Sequence, residues 1–162
     1  MLHEATFYLI AIAILIAAIV AFFAVARGRY AHFGLVQTLL RILAALPLLA
    51  SAIWVHFLHT NEATAMLPPV FPATALLVRL SGVCEILGAI GLFVPRVRRS
   101  AALWIAIMMV LVFPVNIFIA GQTFFGVLMP SVPVRLAAQI IYIWMVLLAS
   151  FGRPVFMTRP IS

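Results

Sequence analysis

Apolar residues run along this chain in long stretches broken by short joints rich in proline, glycine or arginine. A membrane-spanning helix needs about 20 consecutive, mostly apolar residues, because ~30 Å of hydrocarbon is crossed at ~1.5 Å per residue. Five stretches meet that length: 7–26, 36–57, 73–94, 99–120 and 133–152. The joints between them hold helix breakers, with Gly28 and Gly34 in the first, Pro68, Pro69 and Pro72 in the second, Pro95 in the third, and Gly126, Pro130 and Pro133 in the fourth. Pro133 suits a first helical turn, where its missing N–H leaves no bond unmade. The longest joint, 58–72, has 15 residues and leaves no room for a soluble domain. Residues 1–162 therefore read as a single membrane domain, an all-α transmembrane helical bundle.

Composition closes off the alternatives. Of 162 residues, 67% are hydrophobic and only 8% charged, and the mean hydropathy is +1.30, values foreign to a soluble globular domain. The 10 basic residues are all arginine and outweigh 3 acidic ones, giving a net charge of +7. They lie singly or in small groups between apolar stretches and form no basic face for nucleic acid. Their placement instead sets an orientation, because a positively charged short loop resists translocation. Arg27 and Arg29, then Arg96, Arg98 and Arg99, then Arg153 and Arg159 fall on one side of the predicted spans, while the other side holds Glu4 and Glu62. This predicts a multi-pass protein of the cytoplasmic (inner) membrane with its N-terminus outside and its C-terminus in the cytoplasm. Ala24-Val25-Ala26 resembles a signal-peptide cleavage site, but no Lys or Arg precedes the apolar stretch, and cleavage would invert every later loop against its charge. The single cysteine, Cys84, excludes an internal disulfide and any thiol relay.

Ionisable groups inside a span are expensive and mark candidate sites. Arg41 lies about 7 Å into the second span from the cytoplasmic side, and Arg79 and Glu85 lie about 9 and 18 Å below the outer edge of the third. Arg79 and Glu85 are about 120° apart around their helix, so the depths predict that Arg41 reaches across to pair with Glu85. His56, Arg79, Asn116, Arg135 and Gln139 fall at one depth in the outer leaflet, as an interhelical network or a pocket for a polar headgroup. Pro114, two residues before Asn116, adds a kink at that level, and Gly82, Gly88 and Gly91 mark the third helix as closely packed. His56, His59 and Glu62 recur every three residues, but the run passes into a loop with no second cluster, so no metal site is expected, and haem ligation by His56 lacks a second axial residue. The chain holds no Asp and no nucleophile elbow, P-loop or dinucleotide fingerprint, so any chemistry is confined to proton transfer or quinone.

Several motifs resemble one family in order. Residues 78–99, with Gly82-Val83-Cys84-Glu85-Ile86-Leu87-Gly88 and Leu92-Phe93-Val94-Pro95-Arg96, resemble the second helix of DoxX-like membrane proteins. Phe113-Pro114-Val115-Asn116-Ile117 is similar to that family's Phe-Pro-Ala-Asn-Ile signature, and Arg135-Leu136 with Gln139 is similar to its last-helix Arg-Leu-Pro-Leu-Gln. His56-Phe57 and Met66-Leu67-Pro68-Pro69 fall in the expected order, so the likeness covers about residues 37–152. The resemblance implies a four-helix DoxX-like core, here with one additional N-terminal transmembrane helix, and places Arg41, His56, Glu85, Asn116, Arg135 and Gln139 at motif positions. Ala137 stands where the family often has Pro. The family takes its name from a subunit of a thiosulfate:quinone oxidoreductase. The expected role is a non-catalytic accessory subunit, partnered within a membrane complex, or a binder of a lipophilic ligand or membrane lipid through the outer-leaflet polar cluster. The alternatives are a redox subunit handling quinone with Glu85 as proton carrier, and a small transporter.

Overall fold

The computed structural model describes residues 10, 13, 14, 16, 17, 34–69, 71, 72 and 74–151. Ile10, Ala13, Ile14, Ile16 and Ala17 are helical, and the rest of the predicted span 7–26 lies outside the described residues, as do Glu4, Arg27, Arg29, Arg153 and Arg159.

Helix α1 (Gly34–Ser51) continues without a break into a π-helical segment (Ala52–Leu58), so that 25 residues form one apolar rod. After the short helix α2 (Thr60–Ala65) the chain enters α3 (Ala75–Gly91), then α4 (Arg98–Phe118), and ends its described part with α5 (Val132–Phe151). Three of these, Gly34–Leu58, Arg98–Phe118 and Val132–Phe151, are long and apolar enough to cross a membrane. At about 1.5 Å per residue, the 17 residues of α3 reach about 25 Å. Its first turn is set by Thr74, whose hydroxyl accepts from the Leu77 N–H at 3.3 Å and satisfies one of the unpaired donors of a helix start.

The four longer helices close a ring in which α1 packs on α3 and α5, and α4 packs on the same two. Small residues allow the approach. Ala44, Ala89, Ala102 and Ala149 are fully buried, and between them sit the large side chains of Phe113, Ile105, Ile143 and Leu147. A Cβ on Gly91 would stand 2.6 Å from that of Ala101, so the tight passage from α3 to α4 depends on glycine there. The outward faces are as apolar as the core: Leu46, Leu87, Leu111 and Ile141, one on each helix, are all more than half exposed. A shell of that kind belongs in lipid, where association rests on close packing and satisfied polar groups rather than on expulsion of water.

The ends of the ring differ. One end carries the start of α1, the α3–α4 turn with Arg96, Arg98 and Arg99, and the last turn of α5. The opposite end is capped by α2 and by a hairpin, β1 (Thr123–Phe124) paired antiparallel with β2 (Val127–Leu128), in joints expected to be irregular. The all-α expectation is thus modified by a two-residue ladder. Phe125 and Gly126 form its turn with φ of 53° and 72°, the doubly left-handed geometry of a tight hairpin.

Candidate functional site

The π-helical segment carries His56 toward α3. In a π turn the backbone bond spans five residues, seen where the His59 N–H reaches the Trp54 carbonyl at 3.1 Å, and such turns recur at functional sites. Thr60, buried at the end of the segment, donates its hydroxyl to the His56 carbonyl at 2.7 Å and closes the widened turn. On α3, Val78, Ser81, Gly82 and Glu85 follow at spacings of three and four and so share one face.

His56 Nε2 stands 3.4 Å from Glu85 Oε1, with both side chains mostly buried at 16% and 12% exposure. His56 Nδ1 lies 2.8 Å from the Val78 carbonyl and 3.0 Å from Ser81 Oγ, and that hydroxyl donates to the same carbonyl at 2.7 Å. A carbonyl only accepts, so the Nδ1 hydrogen is directed at Val78 and Ser81. A neutral ring would then aim its Nε2 lone pair at the carboxylate. One proton, on Nε2 or on the carboxyl group, converts that repulsion into attraction. The second carboxylate oxygen, Oε2, is buried with no hydrogen-bond partner among the described residues. Tyr142 of α5 lies within electrostatic reach of Glu85 and donates its hydroxyl to the Ala44 carbonyl at 2.5 Å. The arrangement therefore offers one exchangeable proton and one unused acceptor in apolar surroundings.

The predicted outer-leaflet cluster divides. Asn116, Arg135 and Gln139 come together: Arg135 Nη1 donates to Asn116 Oδ1 at 2.7 Å, Asn116 Nδ2 donates to Gln139 Oε1 at 2.8 Å, and Gln139 Nε2 donates to the Met109 carbonyl. Arg135 Nε also donates to the Pro130 carbonyl at 3.1 Å. These bonds tie α4 to α5 one turn from the Pro114 ring, and the two amide groups spend their polar atoms on each other and their neighbours. His56 is directed to Glu85 instead. Arg79 is exposed on the outward side of α3 and joins neither group.

The expected pairing of Arg41 with Glu85 does not form. Arg41 Nε donates to the Ala149 carbonyl at 2.9 Å, in the last described turn of α5. Depth alone suggested the pair, whereas the direction of the side chain is set by α5 as the neighbour of α1. His59 and Glu62 serve the hairpin: the His59 ring stacks at 4.4 Å on Trp54 and meets Phe125 edge-on at 5.6 Å, and Glu62 accepts from the Phe125 N–H. Among the described residues no group of three or more His, Cys, Asp or Glu is placed to hold a metal ion. Sequence reasoning passed over Ser81 and Tyr142 because it weighed charged groups and amides. Their signal was spacing, Ser81 one turn before Glu85 and Tyr142 three residues after Gln139 on the same helix.

No curated protein and no solved structure matches the chain. Residues 43–150 match a family described as Domain of unknown function (DUF8561), a range that includes His56, Ser81, Glu85, Asn116, Arg135, Gln139 and Tyr142 and begins after Arg41. With the four packed helices almost wholly inside that range, the chain belongs to the DUF8561 family.

Proposed function

We propose that this protein is a DoxX-like, multi-pass membrane protein that binds a lipophilic ligand through a polar head group at the His56–Glu85 pair, as an accessory subunit of a membrane complex rather than a self-contained enzyme. In this reading α3 also crosses the membrane, as the second helix of a four-helix DoxX-like core that one N-terminal transmembrane helix precedes, and the protein lies in the cytoplasmic membrane. Arg96, Arg98 and Arg99 face the cytoplasm, as the charge rule for short loops favours. The observation that carries the reading is the buried, unpartnered Oε2 of Glu85. A buried acceptor left unmade costs about 1–3 kcal/mol, which a ligand hydroxyl would recover by donating to it, as would a ligand carbonyl accepting from the carboxyl group in its protonated form. The Asn116–Arg135–Gln139 group, already satisfied, acts as the brace that holds α4 and α5 beside the site.

A redox reading is favoured by one feature of its own, the proton that the Nδ1 geometry requires between His56 Nε2 and Glu85. In that reading the ligand is a quinone, Glu85 is the proton carrier for a quinone oxygen, and the electrons belong to a partner subunit. The test is binding of a short-chain ubiquinone and of its redox-inert dimethoxybenzene analogue to the purified protein in detergent. Saturable binding of both, weakened about tenfold or more by Glu85→Gln, supports a lipophilic-ligand site. Binding of the quinone alone favours the redox reading, and non-saturable uptake unaffected by Glu85→Gln removes both.

A further inference from the structure

At the end of the ring opposite the hairpin, three guanidinium groups from separate places in the chain converge on the junction of α1, α4 and α5. Arg41 lies on the buried face of α1, one turn before Ala44 and Ala45, and reaches the Ala149 carbonyl with Nε. Arg98, in the first turn of α4, folds back to donate its Nε to the Leu92 carbonyl at 2.9 Å, and it is close enough to Arg41 for the like charges to act on each other. Arg99 sits 5.9 Å over the ring of Phe151, the last described residue of α5. Arg41 and Arg98 thus spend the Nε edge on a helix carbonyl, and among the described residues no acceptor reaches their Nη groups.

Nothing acidic offsets these cations from within the described chain. Glu62 is engaged by the hairpin at the far end and Glu85 by His56. Like charges drawn together beside an apolar core, with their paired N–H donors unspent, call for an anion with several oxygen acceptors, and a guanidinium fork matches a phosphate. A lipid is the source that fits the surroundings. Leu103 and Ile107 continue the Arg99 face of α4 at four-residue intervals and are exposed, giving acyl chains an apolar track directly beside the charges. We infer that Arg41, Arg98 and Arg99 form a binding site for the phosphate of an anionic phospholipid at this end of the bundle.

The site is separate from the His56–Glu85 pair, and its test does not depend on any ligand there. The full chain, purified in a mild detergent, is titrated with phosphatidylglycerol, phosphatidylcholine or inorganic phosphate, and bound lipid is counted by native mass spectrometry beside the thermal midpoint. Phosphatidylglycerol is expected to bind saturably and raise the midpoint, with phosphatidylcholine at least several-fold weaker. Arg98→Gln and Arg99→Gln are each expected to weaken phosphatidylglycerol about fivefold, the factor one cation near an anionic lipid surface contributes. Arg99→Gln alone decides the matter if Arg98→Gln does not fold, since Arg99 lies exposed. Equal binding of both lipids, or unchanged affinity in the variants, overturns the site. The same saturable shift with inorganic phosphate alone overturns the lipid assignment.

Discussion

Gly82 lies directly against the side chain of His56. A Cβ at position 82 would stand 2.6 Å from the Cβ of His56 and 3.1 Å from its Cγ, with the Phe57 ring also at 3.1 Å. The π-helical segment and α3 thus meet at a point where α3 has no side chain, and that contact holds the imidazole at the height of Ser81 and Glu85. Gly82→Ala must push the two elements apart, and overpacking of this kind costs about 1–3 kcal/mol. A lower thermal midpoint is expected, together with weaker binding at the pair. A midpoint unchanged from the parent protein would show that the contact is looser than described.

The rearranged charge partners are measurable by double-mutant cycles. His56→Ala and Glu85→Gln remove opposite sides of one contact, so their effects on stability are expected to couple by about 0.5–3 kcal/mol. Arg41→Ala and Glu85→Gln touch different partners, the Ala149 carbonyl and His56, and are expected to add within about 0.5 kcal/mol. Coupling in the second cycle and none in the first would restore the pairing that depth alone suggests.

Length and hydropathy located the rods well: the predicted spans 36–57, 99–120 and 133–152 correspond to Gly34–Leu58, Arg98–Phe118 and Val132–Phe151. The span 73–94 contains the shorter α3, Ala75–Gly91, because Leu92 and Phe93 turn toward Arg98. The residues of the sites were legible too, since His56, Glu85, Asn116, Arg135 and Gln139 stand out as polar groups in apolar stretches. Their partners were less so. Counting depth along straight α-helices cannot register a π turn at Ala52–Leu58, which redirects His56, nor the choice of α5 over α3 by Arg41. The hairpin escaped notice because Thr123-Phe124-Phe125-Gly126-Val127-Leu128 carries a single glycine, and Phe at a positive φ follows no local preference.

The brace between α4 and α5 is expected to act on stability and leave ligand binding alone. Asn116→Ala removes the acceptor of Arg135 Nη1 and the donor to Gln139 Oε1 together. Gln139 is 6% exposed, so its oxygen would lose its partner out of reach of water, at a cost of about 1–3 kcal/mol. Thermal unfolding of Asn116→Ala should show that loss, while quinone affinity per folded molecule stays within about twofold. A large loss of affinity at an unchanged midpoint would move the ligand site to this group.

The hairpin turn is held by a contact across the capped end, and this can be read one amide at a time. Phe125 has φ of 53°, a left-handed conformation that costs a bulky residue about 1–2 kcal/mol. Against that cost stand the Glu62 carboxylate, which accepts the Phe125 N–H, and the edge-on contact of its ring with His59 at 5.6 Å. Hydrogen exchange at the Phe125 amide is expected to be slow in the parent protein. In Glu62→Ala it should accelerate about tenfold or more, since a hydrogen bond to a charged acceptor contributes about 1.5–3 kcal/mol. Glu62→Gln keeps an acceptor and should fall between the two. The helical amides of α3 and α4 keep their protection in all three, because the hairpin packs outside the ring. Acceleration spread equally through α3 and α4 would mean instead that the cap helps to hold the bundle itself.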